Sequence, residues 1–179
     1  MQVKSNSDSG SPLDLAGSSG CAAYQFRRTS RAVARLYDAA LAPSGLRSTQ
    51  FAILTAIAKL QPVSISRVAE ILLIDATTMT RSLKLLEKDG LIEIAPRGER
   101  RQRLLTLTSK ATKALALAVP LWQKAQARFL ARLGRKWQAL RDELEHAAEV
   151  AVSLEDTDNI KNMAGQPARK EIQTKRKND

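Results

Sequence analysis

The sequence predicts a mainly α-helical chain with one small β-hairpin wing. Three observations lead there. Apolar residues recur at helical spacing along most of the chain. Between residues 64 and 108 that pattern is interrupted by a tight turn, and then by two strand-like runs on either side of a basic turn. The formal net charge is +11, with arginine gathered in local clusters. The order helix, tight turn, helix, strand, basic turn, strand is the plan of a winged helix-turn-helix lobe, which sets one helix in the DNA major groove with a hairpin beside it.

Residues 1–20 are rich in Ser, Gly and Asp, lack periodicity, and read as a disordered segment. From Tyr24 to Leu41, Phe26, Val33, Leu36, Tyr37 and Leu41 share helical spacing, while Arg27, Arg28, Arg31 and Arg35 take other faces. Pro43, Ser44 and Gly45 end that helix. Ser48 is placed to cap the next one, which carries Phe51, Leu54, Ile57, Ala58 and Leu60 until Pro62 stops it. A short helix over Ser64 to Leu72 turns Val68, Ile71 and Leu72 inward.

Asp75 caps a helix from Ala76 to Lys88 with Met79, Leu83 and Leu86 inward, and Gly90 suits the left-handed residue that closes it. Leu91 to Ala95 and Leu104 to Leu107 read as strands, with Arg97, Arg100, Arg101 and Arg103 crowded into the turn and only Glu99 to oppose them. Thr108 caps a long helix from Ser109 to about Leu133, bent at Pro120 by the missing amide hydrogen. After a break at Gly134, a last helix from Arg135 to about Leu154 carries Trp137, Leu140, Leu144, Ala147 and Ala151. Residues 155–179 carry both charges and read as a frayed helix end followed by a flexible charged tail.

Trp122, Phe129, Leu133 and Trp137 form an apolar surface that no remaining segment covers, and a second copy of the chain is the economical cover. The expected organisation is a winged lobe at about 46–108, with helices at about 21–42 and 109–154 forming a dimerisation domain.

Composition narrows the function. A chain of 179 residues with 44% hydrophobic and 26% charged content is an ordinary globular protein. Its pI of about 10.2 is not ordinary, and favours a polyanionic partner through attraction to phosphate and counterion release. One cysteine excludes an internal disulfide and a multi-cysteine zinc site, and the single His146 has no second ligand near it. No apolar run is long enough to span a bilayer, and the first residues lack the apolar core of a signal peptide, so a cytoplasmic protein without membrane association is expected. There is no glycine-rich phosphate loop and no nucleophile with a base at helical spacing, so neither an enzyme nor a cofactor is expected.

The wing reads acidic residue, any residue, arginine, five residues, Leu-Thr, here Glu99, Arg101, Leu107 and Thr108. With the helix that follows Asp75, this resembles the MarR family of bacterial transcription regulators over about Cys21 to Leu154. Two departures stand out: the acidic residue is Glu99 where the family usually has aspartate, and the run from Gly90 to Glu99 is slightly short. The resemblance implies a homodimer with interlocked terminal helices and two winged lobes on a pseudo-palindromic operator. It also implies that a small-molecule effector or an oxidant alters the lobe spacing.

Candidate DNA contacts follow. Thr77, Thr78, Arg81 and Lys84 face outward on the second helix of the motif, with Thr80 adjacent. Threonine and arginine can both contact base edges, and arginine also phosphate. A solvated helix face is the plainer alternative. Arg97, Arg100, Arg101 and Arg103 can carry charge into a minor groove, against the plainer reading of an exposed charged turn. Cys21 opens the first helix near Arg27 and Arg28, which favours a thiolate. In the peroxide-sensing branch of the family a cysteine near this point is the redox sensor, helped by tyrosines. Tyr37 falls at a matching place, but Cys21 lies too far from it and so turns to another helix face. A small buried interface residue is therefore the favoured reading of Cys21. Trp122, Phe129 and Trp137 read as core or interface before they read as a ligand pocket.

Overall fold

The computed structural model describes residues 20–97 and 102–164. The first helix, α1, runs Ala22–Leu41, and a single 3-10 turn over Ala42–Ser44 leads to α2, Ser48–Leu60. A two-residue strand, β1 (Val63–Ser64), precedes α3 (Ile65–Ile71) and α4 (Ala76–Lys88). The hairpin is β2 (Ile92–Arg97) and β3 (Gln102–Leu107), followed by α5 (Ser109–Leu133) and α6 (Lys136–Ala164). The chain divides into two compact units, Met1–Ala127 and Arg128–Asp179.

The core of the first unit is built from the stripes that the periodicity marks. Leu41, Leu54, Ile57, Val68, Met79 and Leu105 are fully buried, with Leu83 and Leu86 nearly so. Each such side chain contributes about 1.5–3 kcal/mol by leaving water. Leu105 sits at the centre of the sheet, whose order is β1-β3-β2, with Val63 opposite it on one side and Ile94 on the other. Beyond β1 the ladder is continued by a side chain, as Gln61 Oε1 accepts the amide hydrogen of Leu107 at 2.8 Å. The strand β1 was not expected, because two residues show no alternation to read.

The caps hold α3 and α4 at a fixed angle to the wing. Ser64 Oγ accepts from Arg67 N at 3.2 Å, and Asp75 Oδ1 accepts from Thr78 N at 2.9 Å. Between them Leu73 takes a left-handed φ of 50°, and Ile74 N donates to Ala69 O at 2.9 Å, which closes the turn. Gly90 closes α4 with φ of 66°. Thr108 joins three elements. Its hydroxyl donates to Gly90 O at 2.8 Å and accepts from Ala111 N at 3.2 Å, while its amide donates to Leu91 O at 3.1 Å.

Several expectations are corrected. Ser48 is the first residue of α2 and not its cap; its amide donates to Asp38 Oδ1 of α1 at 2.7 Å. Ile71 is 43% exposed rather than inward, because α3 ends there; Val68 is its fully buried residue, with Ile65 and Ala69 packed against the core beside it. The strands are longer than their apolar stretches, so Arg97 and Arg103 are strand residues paired with Gln102 and Pro96 rather than parts of the turn. Trp122 packs on Phe51, with ring centroids 5.9 Å apart, and so belongs to the first unit's core edge rather than to a bare surface.

In the second unit, Gly134 has φ of 59° and its amide donates to Leu130 O at 2.9 Å, which ends α5. The helix α5 runs through Pro120 as one element. The helix α6 continues past Leu154 to Ala164, ten residues beyond the expected end. Leu140, Leu144 and Leu154 remain exposed on α6, while Phe129, Leu133 and Trp137 are partly buried.

Candidate nucleic-acid interface

The helix α4 is sharply two-sided. Met79, Leu83 and Leu86 are buried at spacings of four and three residues. About 180° around the helix, Thr77, Arg81, Lys84 and Lys88 line up at positions i, i+4, i+7 and i+11. All four are exposed. Thr78 is exposed to one side, its amide taken by Asp75 Oδ1. Thr80 is exposed as well, but its hydroxyl donates to Ala76 O at 2.7 Å within the helix. Thr80 therefore has only acceptor capacity to offer outward. Of the expected set, Thr77, Arg81 and Lys84 share one face, Thr78 flanks it, and Lys88 completes it. Lys88 was missed, although its i, i+11 spacing from Thr77 was legible.

The Asp75 carboxyl that starts α4 is held below the usual carboxylate range by its hydrogen bond to Thr78. It stays ionised at neutral pH and fixes the first turn, which carries Thr77 and Thr78.

On the wing, Arg103 is exposed on β3, and Arg97 ends β2 opposite Gln102. Glu99, Arg100 and Arg101 lie outside the described residues. Register places Arg97 and Arg103 at the distal end of the hairpin, next to the tip.

Cys21 is exposed at the start of α1, and its carbonyl accepts from Gln25 N at 3.1 Å. The expected burial of Cys21 is at an interface with a second copy, and in the single chain its side chain is open to solvent. Tyr37 lies about 24 Å further along the same helix, too far to assist it within one chain. The Tyr37 hydroxyl instead donates to Gln126 Oε1 on α5, and burial raises its pKa above the ordinary tyrosine value. His146 is exposed on α6.

Beside Tyr37 the first unit holds a cavity of about 750 Å³, walled by Phe51, Ala56, Leu72 and Trp122, with Lys59 at its edge. Its walls are mainly apolar, with Tyr37, Ser48 and Thr55 supplying hydroxyls. Such a site suits a small, largely apolar molecule with a few polar groups.

The fold and the outward basic stripe define a winged helix-turn-helix protein, a class that meets duplex DNA with one helix and a hairpin. Comparison with known proteins narrows this. The model of the MarR family matches residues 44–102. The DNA complex of the M. tuberculosis transcriptional regulator MosR is similar at 35% identity and TM-score 0.70, over 75% of this chain and 98% of that one. The transcriptional repressor CouR bound to p-coumaroyl-CoA is similar at 25% identity and TM-score 0.64, over 76% of this chain and 98% of that one. An uncharacterized HTH-type transcriptional regulator of Bacillus subtilis, YwoH, is 29% identical over 90 residues. That match covers 50% of this chain and 66% of YwoH, just under two thirds of its length. The chain belongs to the MarR family of transcriptional regulators. Its relatives are regulators and not enzymes.

Proposed function

We propose that the chain acts as a homodimer that binds a pseudo-palindromic operator and represses transcription in the cytoplasm. The helix α4 enters the major groove through Thr77, Thr78, Arg81 and Lys84, with Lys88 toward the backbone. The wing lies in the flanking minor groove, with Arg97, Arg100, Arg101 and Arg103 at or near its tip. The observation that carries this reading is the alignment of Thr77, Arg81, Lys84 and Lys88 opposite the buried face of α4. Likeness to MosR in complex with DNA and to CouR bound to a 23-mer DNA duplex, the latter at 26% identity, supports DNA as the partner.

Two copies are proposed because Leu140, Leu144 and Leu154 of α6 are exposed in the single chain. A stable interface of this type buries roughly 2,000 Å² or more. The apolar cavity beside Trp122 is proposed to hold a small effector that shifts DNA affinity, a reading supported by the p-coumaroyl-CoA complex of CouR.

The test is a gel shift on the intergenic DNA beside the chain's own gene, across a salt series, with an unrelated duplex as competitor. A specific regulator prefers the intergenic DNA by roughly 10³-fold or more, whereas a low-specificity DNA-organising protein shows a steep salt slope and a small ratio. Sedimentation of a folded monomer at micromolar concentration would refute the dimer.

A further inference from the structure

The outward side of α4 is not uniformly polar. Around the helix axis from Arg81, Thr77, Lys84 and Lys88 fall to one side, and Leu85 lies about 40° to the other. Thr78 is about 20° beyond Leu85. Leu85 is 58% exposed, and among the described residues it is the one large apolar side chain that α4 leaves in water. Met79, Leu83 and Leu86 of the same helix are buried.

The hydroxyl donors on this flank are committed to the helix itself. Ser82 Oγ donates to Thr78 O at 2.9 Å. The Thr78 hydroxyl serves the Asp75 carboxylate and helps to keep it ionised. The outward side of α4 thus has a basic edge and, beside it, a flank whose most prominent group is the Leu85 side chain. Thr78, Arg81, Ser82 and Leu85 follow one another at i, i+3, i+4 and i+7. That is the spacing with which a helix lying in the major groove presents side chains to base edges.

We infer that Leu85 is a specificity-determining residue that packs on the C5 methyl group of a thymine in the major groove. This rests on the proposed entry of α4 into that groove. Continuity with the basic edge selects the occupant, because a duplex that meets Arg81 also lies against a side chain one helical turn away. Base edges in the major groove offer hydrogen-bond donors and acceptors, and the thymine methyl is the apolar group among them. Arg81 and Leu85 are about 6 Å apart along the helix axis, and base pairs stack at about 3.4 Å, so the thymine lies within about two base pairs of the one that Arg81 reads.

The experiment uses the full-length protein and the intergenic duplex, with each thymine of the protected site replaced in turn by deoxyuridine. That base lacks the methyl group and keeps every pairing atom. Wild type is expected to lose about three- to fivefold in affinity at one thymine of a half-site, the factor for returning one methyl group to water. Leu85→Ala is expected to bind the unmodified duplex more weakly by a similar or larger factor and to be indifferent to that uracil. Alanine and glutamine both retain helix propensity at this exposed position, and circular dichroism confirms the fold. Leu85→Met, which stays apolar, is expected to keep the uracil response, and Leu85→Gln to lose it. A wild-type protein that prefers the intergenic duplex but ignores every uracil overturns the inference and leaves the operator reading intact. So does a uracil response that survives unchanged in Leu85→Ala. A wild-type protein with no preference for the intergenic duplex overturns both readings.

Discussion

Asp38 Oδ1 on α1 accepts the amide hydrogen of Ser48, the first residue of α2, at 2.7 Å. One helix thus supplies the cap of the next, ten residues on in sequence. On the adjacent position, Tyr37 donates to Gln126 of α5. Two neighbouring residues of α1 therefore fix where α2 begins and where α5 passes.

Asp38→Ala should destabilise the first unit by about 1 kcal/mol, the usual loss when a cap is removed. The Asp38 carboxyl lies below its ordinary value, chiefly through the hydrogen bonds to Ser48 and then through Arg47. A depressed carboxyl contributes stability that is full above the unfolded aspartate pKa of about 3.9 and is lost as pH falls through the folded value. Urea midpoints of wild type and Asp38→Ala should therefore draw closer as pH falls from 6 toward and below 3. Equal midpoints at neutral pH would show that the cap contributes nothing.

Arg81→Ala should alter preference at particular base pairs, losing about 1–3 kcal/mol of discrimination where the guanidinium pairs with guanine. Arg103→Ala should instead weaken all duplexes by a similar factor, reducing the salt slope by about 0.9 for one phosphate. Binding-site selection with each variant separates the two. A shifted consensus for Arg103→Ala, or none for Arg81→Ala, would reverse the assignments.

The cavity beside Trp122 gives an optical readout. In a Trp137→Phe variant, Trp122 is the remaining tryptophan, and it sits on the cavity wall against Phe51. Occupation by a small aromatic acid should change its emission, and Ala56→Phe, which fills the space without adding a second tryptophan, should abolish that change. An emission response that survives in Ala56→Phe would place the ligand elsewhere.

Cys21 is exposed and has no second cysteine in its chain to resolve a sulfenic acid, and Tyr37 is engaged with Gln126 well along the helix. Cys21→Ser should therefore keep near wild-type DNA binding, and mild cumene hydroperoxide should leave both proteins bound in a gel shift. Release of DNA by the wild-type protein alone would make Cys21 a peroxide sensor.

Local chemistry made much of the winged lobe legible. Asp75 before an amphipathic run, Gly90 after it, and Thr108 before the next helix each act within a few residues, so their roles follow from neighbours in sequence. The buried set Met79, Leu83 and Leu86 follows in the same way, because helical periodicity alone decides which face turns inward. The outward face of α4 was legible for the same reason.

What tertiary structure decided depends on residues distant in sequence. The two-residue strand β1 exists only because Leu104 and Leu105 lie alongside it. Asp38 replaces Ser48 as the source of the cap because α1 packs beside the start of α2. Arg97 and Arg103 are strand residues because cross-strand pairing extends the hairpin beyond its apolar stretch. Trp122 finds Phe51 and a cavity rather than a bare surface, since α5 returns to the helices that precede the wing. Sequence periodicity identifies which residues leave water, but only the packed chain determines what they meet.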